Sequence, residues 1–567
     1  MKNHKRRHMD RDPKPPVREA MTAVDGRQLD PTGSLGVEGV TVRTTSYVAT
    51  RLTISKTTSI PGDEPGLDHA DHADFVDHCR RATGDMDDQE QGRVMSRFLL
   101  VARVADDLGW VATLEPEDPK TVGLRFGVLK VGLSIKPDAD VVLPPDAFTL
   151  LQQLRLRFRD RPKTLQGISL DHVVVSSPFD SSHPFDSSHP FDSSHPFDSS
   201  HPFDSSHPFG GGDSPISTYA VPGQGGRQPI AYVGLPPHRG EPEEGRRRPV
   251  VAILDTGCGQ HAWFDGPGRH VVTRGLELDG HEIGYDVPAT DPETFWDQAG
   301  ALDGMIDPLS GHGTFIAGLV HQGCPDADIL SWRVVPSMGP IVESDWITAL
   351  AQIAELNRRG REGIDGGRVI DVLSLSMGYY HETAYDSLFD PTLFAVLSDL
   401  AARGTLVVCS AGNDATSRPC FPAAFAPWLP DEDGEDGSVV VTPSGHLPIL
   451  SVGALNPNRT SDALFSNAGY WVRSYVEGAA VMSTVPPFQG SLQPAARAEA
   501  FGRVRENIDP DDFRGGFGVW SGTSFAAPLM AGRLAAYLAT HLHADDDVDT
   551  CKGLARDALE EVARFRS

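Results

Sequence analysis

The chain has 567 residues, 39% of them apolar and 23% charged, so it is too long for one compact core and has the composition of a protein that folds in water. Its formal net charge is -28 and its Lys and Arg residues form no long stripe, which excludes nucleic acid and anionic membrane as expected partners. No window reaches ~18 consecutive apolar residues, so no membrane-spanning helix is expected.

Residues 1–35 read as a solvated, flexible tail. Their basic stretch MKNHKRRHMDRDPKPPVRE has neither the apolar run nor the small-residue cleavage site of a secretion signal. Without such a signal, the six cysteines (Cys79, Cys258, Cys324, Cys409, Cys420, Cys551), which have no disulfide-framework or zinc-site spacing, are expected to be free thiols in a cytoplasmic protein. Residues 36–175 read as a small α+β domain. VTVRTTSYVATRLTI (40–54) alternates like a strand, EQGRVMSRFLLVARVADDLG (90–109) repeats like a helix, and LRFGVLKVGLSI (124–135) supplies further strands. No chemistry is legible in it. It is either a propeptide that blocks a groove and is cut off, or a permanent regulatory module through which a partner acts.

Residues 176–247 are expected to be a disordered linker. The hexapeptide PFDSSH occurs five times in tandem between 178 and 207, and a repeat this short with no hydrophobic face cannot offset its ordering entropy. Its histidines (His183, His189, His195, His201, His207) have the composition of a metal-collecting tract, but a tolerated repeat is the simpler account.

From 248 to 545 strands and helices alternate, the pattern of a parallel sheet covered on both faces. PVVAIL (249–254) is a buried-strand run. SDWITALAQIAELNRRG (344–360) is a helix capped by Ser344, with Trp346, Ile347, Leu350, Ile353 and Ala354 on one face. VIDVLSL (369–375) is a strand, Asp390 and Pro391 open a helix that Gly404 ends, and TLVVC (405–409) is the next strand. A C-terminal helix fills 546–567.

Three segments fall where open parallel sheets hold ligands, past the carboxyl ends of strands or at helix starts: Asp255-Thr256-Gly257, GHGTFIAGLV from Gly311, and GTSFAAPLMAG from Gly522. Each alone is weak. A DTG also opens aspartic-protease sites, but no second DTG supplies the other carboxylate. Ser524 is not in a G-x-S-x-G elbow, because Ala526 takes the last position. In the order Asp, His, Ser, together with SAGN at 410–413, they resemble the subtilisin family (subtilases, peptidase S8 type) over about 250–538.

The resemblance implies an α/β, subtilisin-like three-layer fold with a mostly parallel sheet, and a serine endopeptidase acting on polypeptide substrates. Ser524 would be the nucleophile, His312 the base that takes its proton, Asp255 the group that orients the imidazole, and Asn413 the side-chain donor of the oxyanion hole. It also implies a substrate groove with Ser376-Met377-Gly378 as one edge and Ser410-Ala411-Gly412 as the facing wall, with backbone pairing that tolerates many sequences and an apolar preference. No cofactor is required. The acidic loop DEDGED (431–436) has enough carboxylates for Ca²⁺, though its spacing matches no EF-hand loop. Two other functions fit the same residues: a peptide-binding scaffold and a peptide transferase or macrocyclase. Phe315 and Phe525 depart from the family pattern, where a second His and a Met are usual. Cys258, three residues after Asp255, raises the prospect of inhibition by mercurials.

Overall fold

The structure, a computed structural model, describes residues 18–57, 82–83, 86, 88–137, 143–176, 227–230, 233–300, 302, 304, 306–383, 392–431, 436–489, 497–506 and 513–565. The PFDSSH repeats, Cys79, the Asp390-Pro391 helix start and four of the six residues of DEDGED lie outside them.

Upstream of the repeats the elements run strand, helix, strand, strand, helix, strand: β1 (Ser46–Ser55), α1 (Asp88–Asp107), β2 (Trp110–Leu114), β3 (Val128–Ile135), α2 (Ala147–Arg157) and β4 (Ile168–Ser176). In space the order is β4-β1-β3-β2, every pairing antiparallel. Helical spacing brings Val94, Phe98, Val101 and Ala105 of α1, and Leu150, Leu151 and Leu154 of α2, into one apolar cluster with Leu52, Ile54, Leu129, Val131 and Leu170 of the strands. Order begins before the expected boundary at 36. A helix, Arg18–Ala23, and a strand, Gly26–Gln28, occupy what reads as tail, and Gly26 to Gln28 pair with Val48 to Ser46 of β1. The segment has no periodicity of its own and becomes structured only against a sheet edge, which local pattern cannot reveal.

Downstream, all-parallel pairing joins β5 (Val250–Asp255), β6 (Val272–Arg274), β7 (Asp328–Arg333), β9 (Val372–Leu375), β11 (Leu406–Ser410), β12 (Leu450–Leu455) and β13 (Ser474–Glu477), in the order β13-β12-β11-β9-β5-β7-β6. Helices α3 (His312–Gly323), α6 (Thr523–Ala539) and α7 (Val548–Glu561) supply residues to the core cluster that includes Val251, Ile253 and Val408. Helices α4 (Glu343–Glu362) and α5 (Thr392–Ala402) supply the cluster that includes Ala252, Leu254 and Val407. Alternate strand residues thus face opposite layers, which is why these strands are apolar throughout. The C-terminal helix α7 belongs to this core through Cys551, Ala555, Ala558 and Leu559. The unit also starts before the expected 248. Arg227 is 3% exposed, with its guanidinium 4.5 Å over the Trp520 ring, and Gln228 pairs with Val519. Within the expected linker 176–247, Ser176 ends β4 and Arg227 and Gln228 already pack with the downstream unit.

Strand β4 leaves its own sheet to join the downstream unit. It pairs antiparallel with β8 (Ile341–Val342) through Val174 and Val173, and with β10 (Met377–Gly378) through Ser176 and Val175. Helix α4 shows the consequence. Ser344 does not cap it: the helix begins one residue earlier, and Val342 at the N-cap has no side-chain bond to offer. The cap comes from the other unit. The Asp171 carboxylate on β4 accepts from the Ser344 amide at 3.0 Å and from its hydroxyl at 2.8 Å, doing across an interface what an N-cap side chain does within a helix.

Candidate active site

Asp255 ends β5, an interior strand of the parallel sheet, and His312 opens α3 behind Gly311, whose φ of 83° is the left-handed conformation glycine tolerates. Both side chains are fully buried, and His312 Nδ1 lies 2.6 Å from Asp255 Oδ1. The Asp255 carboxylate is held in turn by the Thr256 amide at 2.8 Å. A side chain on Gly313 would strike the Gly257 carbonyl at 1.9 Å, so the helix start can sit this close to the strand end only because it is glycine.

Ser524 is the second residue of α6 and is buried. Pro528, four residues on, has no N–H to give the Ser524 carbonyl; the Ser376 hydroxyl donates to that carbonyl instead, at 2.9 Å. The Ser524 hydroxyl donates to the Ser376 carbonyl at 3.2 Å, and His312 Nε2, buried, has no hydrogen-bond partner among the described residues. Ser524 and His312 are therefore not hydrogen-bonded to each other in this state. Asn413 Oδ1 accepts from the Thr523 amide and hydroxyl, both at 2.9 Å, which fixes the amide nitrogen as the end able to donate elsewhere.

Ser376-Met377-Gly378 continue from β9 and Ser410-Ala411-Gly412 complete and follow β11. These strands are parallel neighbours, Leu375 opposite Cys409, so the two segments lie side by side at one end of the sheet. The Gly412 amide donates to Thr523 Oγ1 at 3.1 Å, tying this wall to the start of α6. The Met377-Gly378 edge carries β4. The two family departures touch each other: Phe315 and Phe525 lie 4.6 Å apart, both against Trp520, and the His312 ring lies 5.2 Å from Phe525. Together they form a dry aromatic wall for the imidazole.

One residue next to these groups carries no motif. Glu293, 3% exposed, accepts from Thr256 Oγ1 and Thr314 Oγ1, each at 2.5 Å, and from the Gly313 amide at 3.2 Å. Burial pushes its carboxyl up to about 8, against the two threonine hydrogen bonds, with Asp291 and Asp255 adding to the rise. Cys258 is also buried, which pushes its thiol up to about 12 although Arg274 pulls the other way. Among the described residues one cluster has metal-ligand chemistry, His172, His381 and Glu382. Both ring nitrogens of His172 already meet carboxylates, Glu343 at 2.7 Å and Glu382 at 2.9 Å, and Arg155 lies 2.6 Å from Glu382, so the cluster is built as an ion-pair network and not as a metal cage.

Among the described residues no helix is long and apolar enough to cross a membrane. Residues 246–559 match the subtilase family, Peptidase_S8. The chain is 25% identical over 295 residues to the intracellular serine protease of Paenibacillus polymyxa, a match covering 50% of this chain and 65% of that one. It is 23% identical over 294 residues to the major intracellular serine protease of Bacillus subtilis (strain 168), covering 50% and 66%, and 24% identical over 326 residues to serine protease AprX of the same strain, covering 51% and 63%. The chain thus spans a little under two thirds of the length of these relatives. With the match running over half of its residues, and across β5, α3 and α6 where Asp255, His312 and Ser524 stand, the chain belongs to the subtilase family.

Proposed function

We propose that the chain is a serine endopeptidase that hydrolyses peptide bonds through an acyl-enzyme, and that its N-terminal domain sits in the substrate groove as an inhibitor. The observation that carries the reading is the buried 2.6 Å contact of Asp255 with His312 beside a serine at a helix start.

In the reaction Ser524 Oγ leaves the Ser376 carbonyl, turns to His312 Nε2 and gives up its proton as it attacks the scissile carbonyl. Asp255 keeps the imidazole in the tautomer that has Nε2 vacant and stabilises the imidazolium. The developing oxyanion meets the Asn413 amide and the backbone N–H of Ser524, backed by the positive end of α6. His312 then returns the proton to the leaving amine, water repeats the sequence, and the hydroxyl is restored. A polypeptide substrate would add as a strand to Met377-Gly378, the place β4 now fills, with its side chains received beside Ser410-Ala411-Gly412.

Labelling with a fluorophosphonate probe tests this. Wild type should label at Ser524, slowly with β4 in place and faster once Asp171→Ala loosens the interface, while Ser524→Ala and His312→Ala should not label. Wild type and Asp171→Ala both remaining unlabelled would favour a peptide-binding scaffold.

A further inference from the structure

The strand in the groove also fills a charged pocket. Four residues before Ser176 on β4 is His172, fully buried. Its Nδ1 lies 2.7 Å from Glu343, the first residue of α4, and its Nε2 lies 2.9 Å from Glu382. The Tyr379 ring stacks on it at 4.7 Å and 24°. With a carboxylate on each nitrogen, both nitrogens carry protons and the ring is a cation. Arg155 of α2 adds a second positive charge, 2.6 Å from Glu382. Glu343, Tyr379, His381 and Glu382 come from the subtilase unit and both cations come from the N-terminal domain. Among the described residues the other basic group near Glu382 is His381, Nδ1 at 3.4 Å, which burial pushes down to about 3 and leaves neutral. Withdrawal of the N-terminal domain would therefore leave two carboxylates without these counter-charges, beside an aromatic face, on the line along which a peptide strand enters the groove.

We propose that Glu343, Glu382 and Tyr379 form a subsite for a cationic side chain, lysine, arginine or histidinium, on an extended peptide bound to Met377-Gly378, and that His172 is its intramolecular occupant. The proposal rests on the groove assignment made above and adds a charge preference to it. Selection arises because a neutral side chain at this position leaves Glu343 buried without a partner, whereas a cation satisfies it and gains the tyrosine face.

Hydrogen exchange of the full chain carrying Ser524→Ala tests the subsite without any need for hydrolysis, so its outcome is separate from fluorophosphonate labelling of the wild type. Amides of 173–176 should exchange at least tenfold faster in His172→Gln, while His172→Lys or His172→Arg keeps them within about threefold of the parent. Glu343→Gln, which lies in the other domain, should give the same tenfold acceleration, with 129–133 inside the N-terminal sheet protected as before. It should also abolish the difference between Gln and Lys at 172. Exchange at 173–176 unchanged by Glu343→Gln, or equal in the Gln, Lys and Arg variants at 172, would overturn the proposal.

Discussion

Glu293→Gln is the sharpest test of how the buried acid beside Asp255 and His312 works. The carboxyl titrates near 8 in the folded chain against an ordinary value of 4.5. Between those values the unfolded chain has released this proton and the folded chain has not, so the group makes folding less favourable as pH rises. The slope approaches 1.4 kcal/mol per pH unit, which integrates to about 4 kcal/mol between pH 5 and pH 8. Glutamine keeps the shape and, like the protonated carboxyl it replaces, is neutral and presents one donor side and one acceptor side to Thr256 and Thr314. It should therefore cost no more than about 1 kcal/mol at pH 5. The two curves then diverge, and Glu293→Gln should exceed the parent in stability by pH 8. Urea unfolding followed by tryptophan fluorescence, with Ser524→Ala in both proteins to prevent self-digestion, measures this. A constant gap from pH 5 to pH 8 would show that Glu293 is ionised throughout and would refute the reasoning.

Four further outcomes follow from single contacts. Asp171→Ala removes the cap of α4 and a partner of Arg51; it should weaken docking of the N-terminal domain by about 1–2 kcal/mol and speed fluorophosphonate labelling roughly five- to thirtyfold. For His172, burial alone would push the imidazole down, but Glu343 and Glu382 outweigh it and hold it up to about 10. Its folded value is raised, so its contribution is complete below about 6.5 and is lost as pH climbs through 10; docking followed by exchange at 173–176 should loosen over that interval and not on mild acidification. Gly532→Ala should destabilise by about 1–3 kcal/mol, because its methyl would meet the Val320 carbonyl at 2.9 Å where α3 and α6 cross, whereas Gly553→Ala in α7, with nothing within 4 Å, should stabilise by up to about 1 kcal/mol; thermal melts separate the two. Mercurials should react with Cys258 only slowly, since its buried thiol is pushed up to about 12, and Cys258→Ser should leave the early phase of inhibition unchanged.

The residues that read most clearly in the sequence are those whose chemistry and fold position coincide. Asp255 follows an uninterrupted apolar run, His312 and Ser524 sit at glycine-led helix starts, and the parallel sheet follows from strands apolar on both faces. Three features were not legible, each because its meaning depends on a distant partner. Glu293 lies in a polar stretch, DPETFWDQ, indistinguishable from solvated loop until Thr256 and Thr314 fold over it. Ser344 has the residue type of a cap for α4, yet the carboxylate that caps the helix is 173 residues away in the chain. Nothing local in 168–176 says that the C-terminal half of β4 pairs with strands of the downstream unit, because those partners are Ile341–Val342 and Met377–Gly378.

That last point bears on why the serine and histidine stand apart. β4 pairs with the strand edge directly after Ser376, and Ser376 exchanges two hydrogen bonds with Ser524, hydroxyl to carbonyl in each direction. The Ser524 hydroxyl can point to His312 or to the Ser376 carbonyl, not to both. In this structure, with β4 on the Met377-Gly378 edge, the hydroxyl takes the second. The same N-terminal domain completes α4 through Asp171 and neutralises Glu343 and Glu382. Its withdrawal would thus remove a helix cap, expose a charged pocket and free the edge beside Ser524 together. Substitutions at Asp171, His172 and Glu343 should accordingly be non-additive in their effect on labelling, since each weakens one shared docking equilibrium. Additive effects that persist after the N-terminal domain has fully undocked would mean that these residues act on the serine separately.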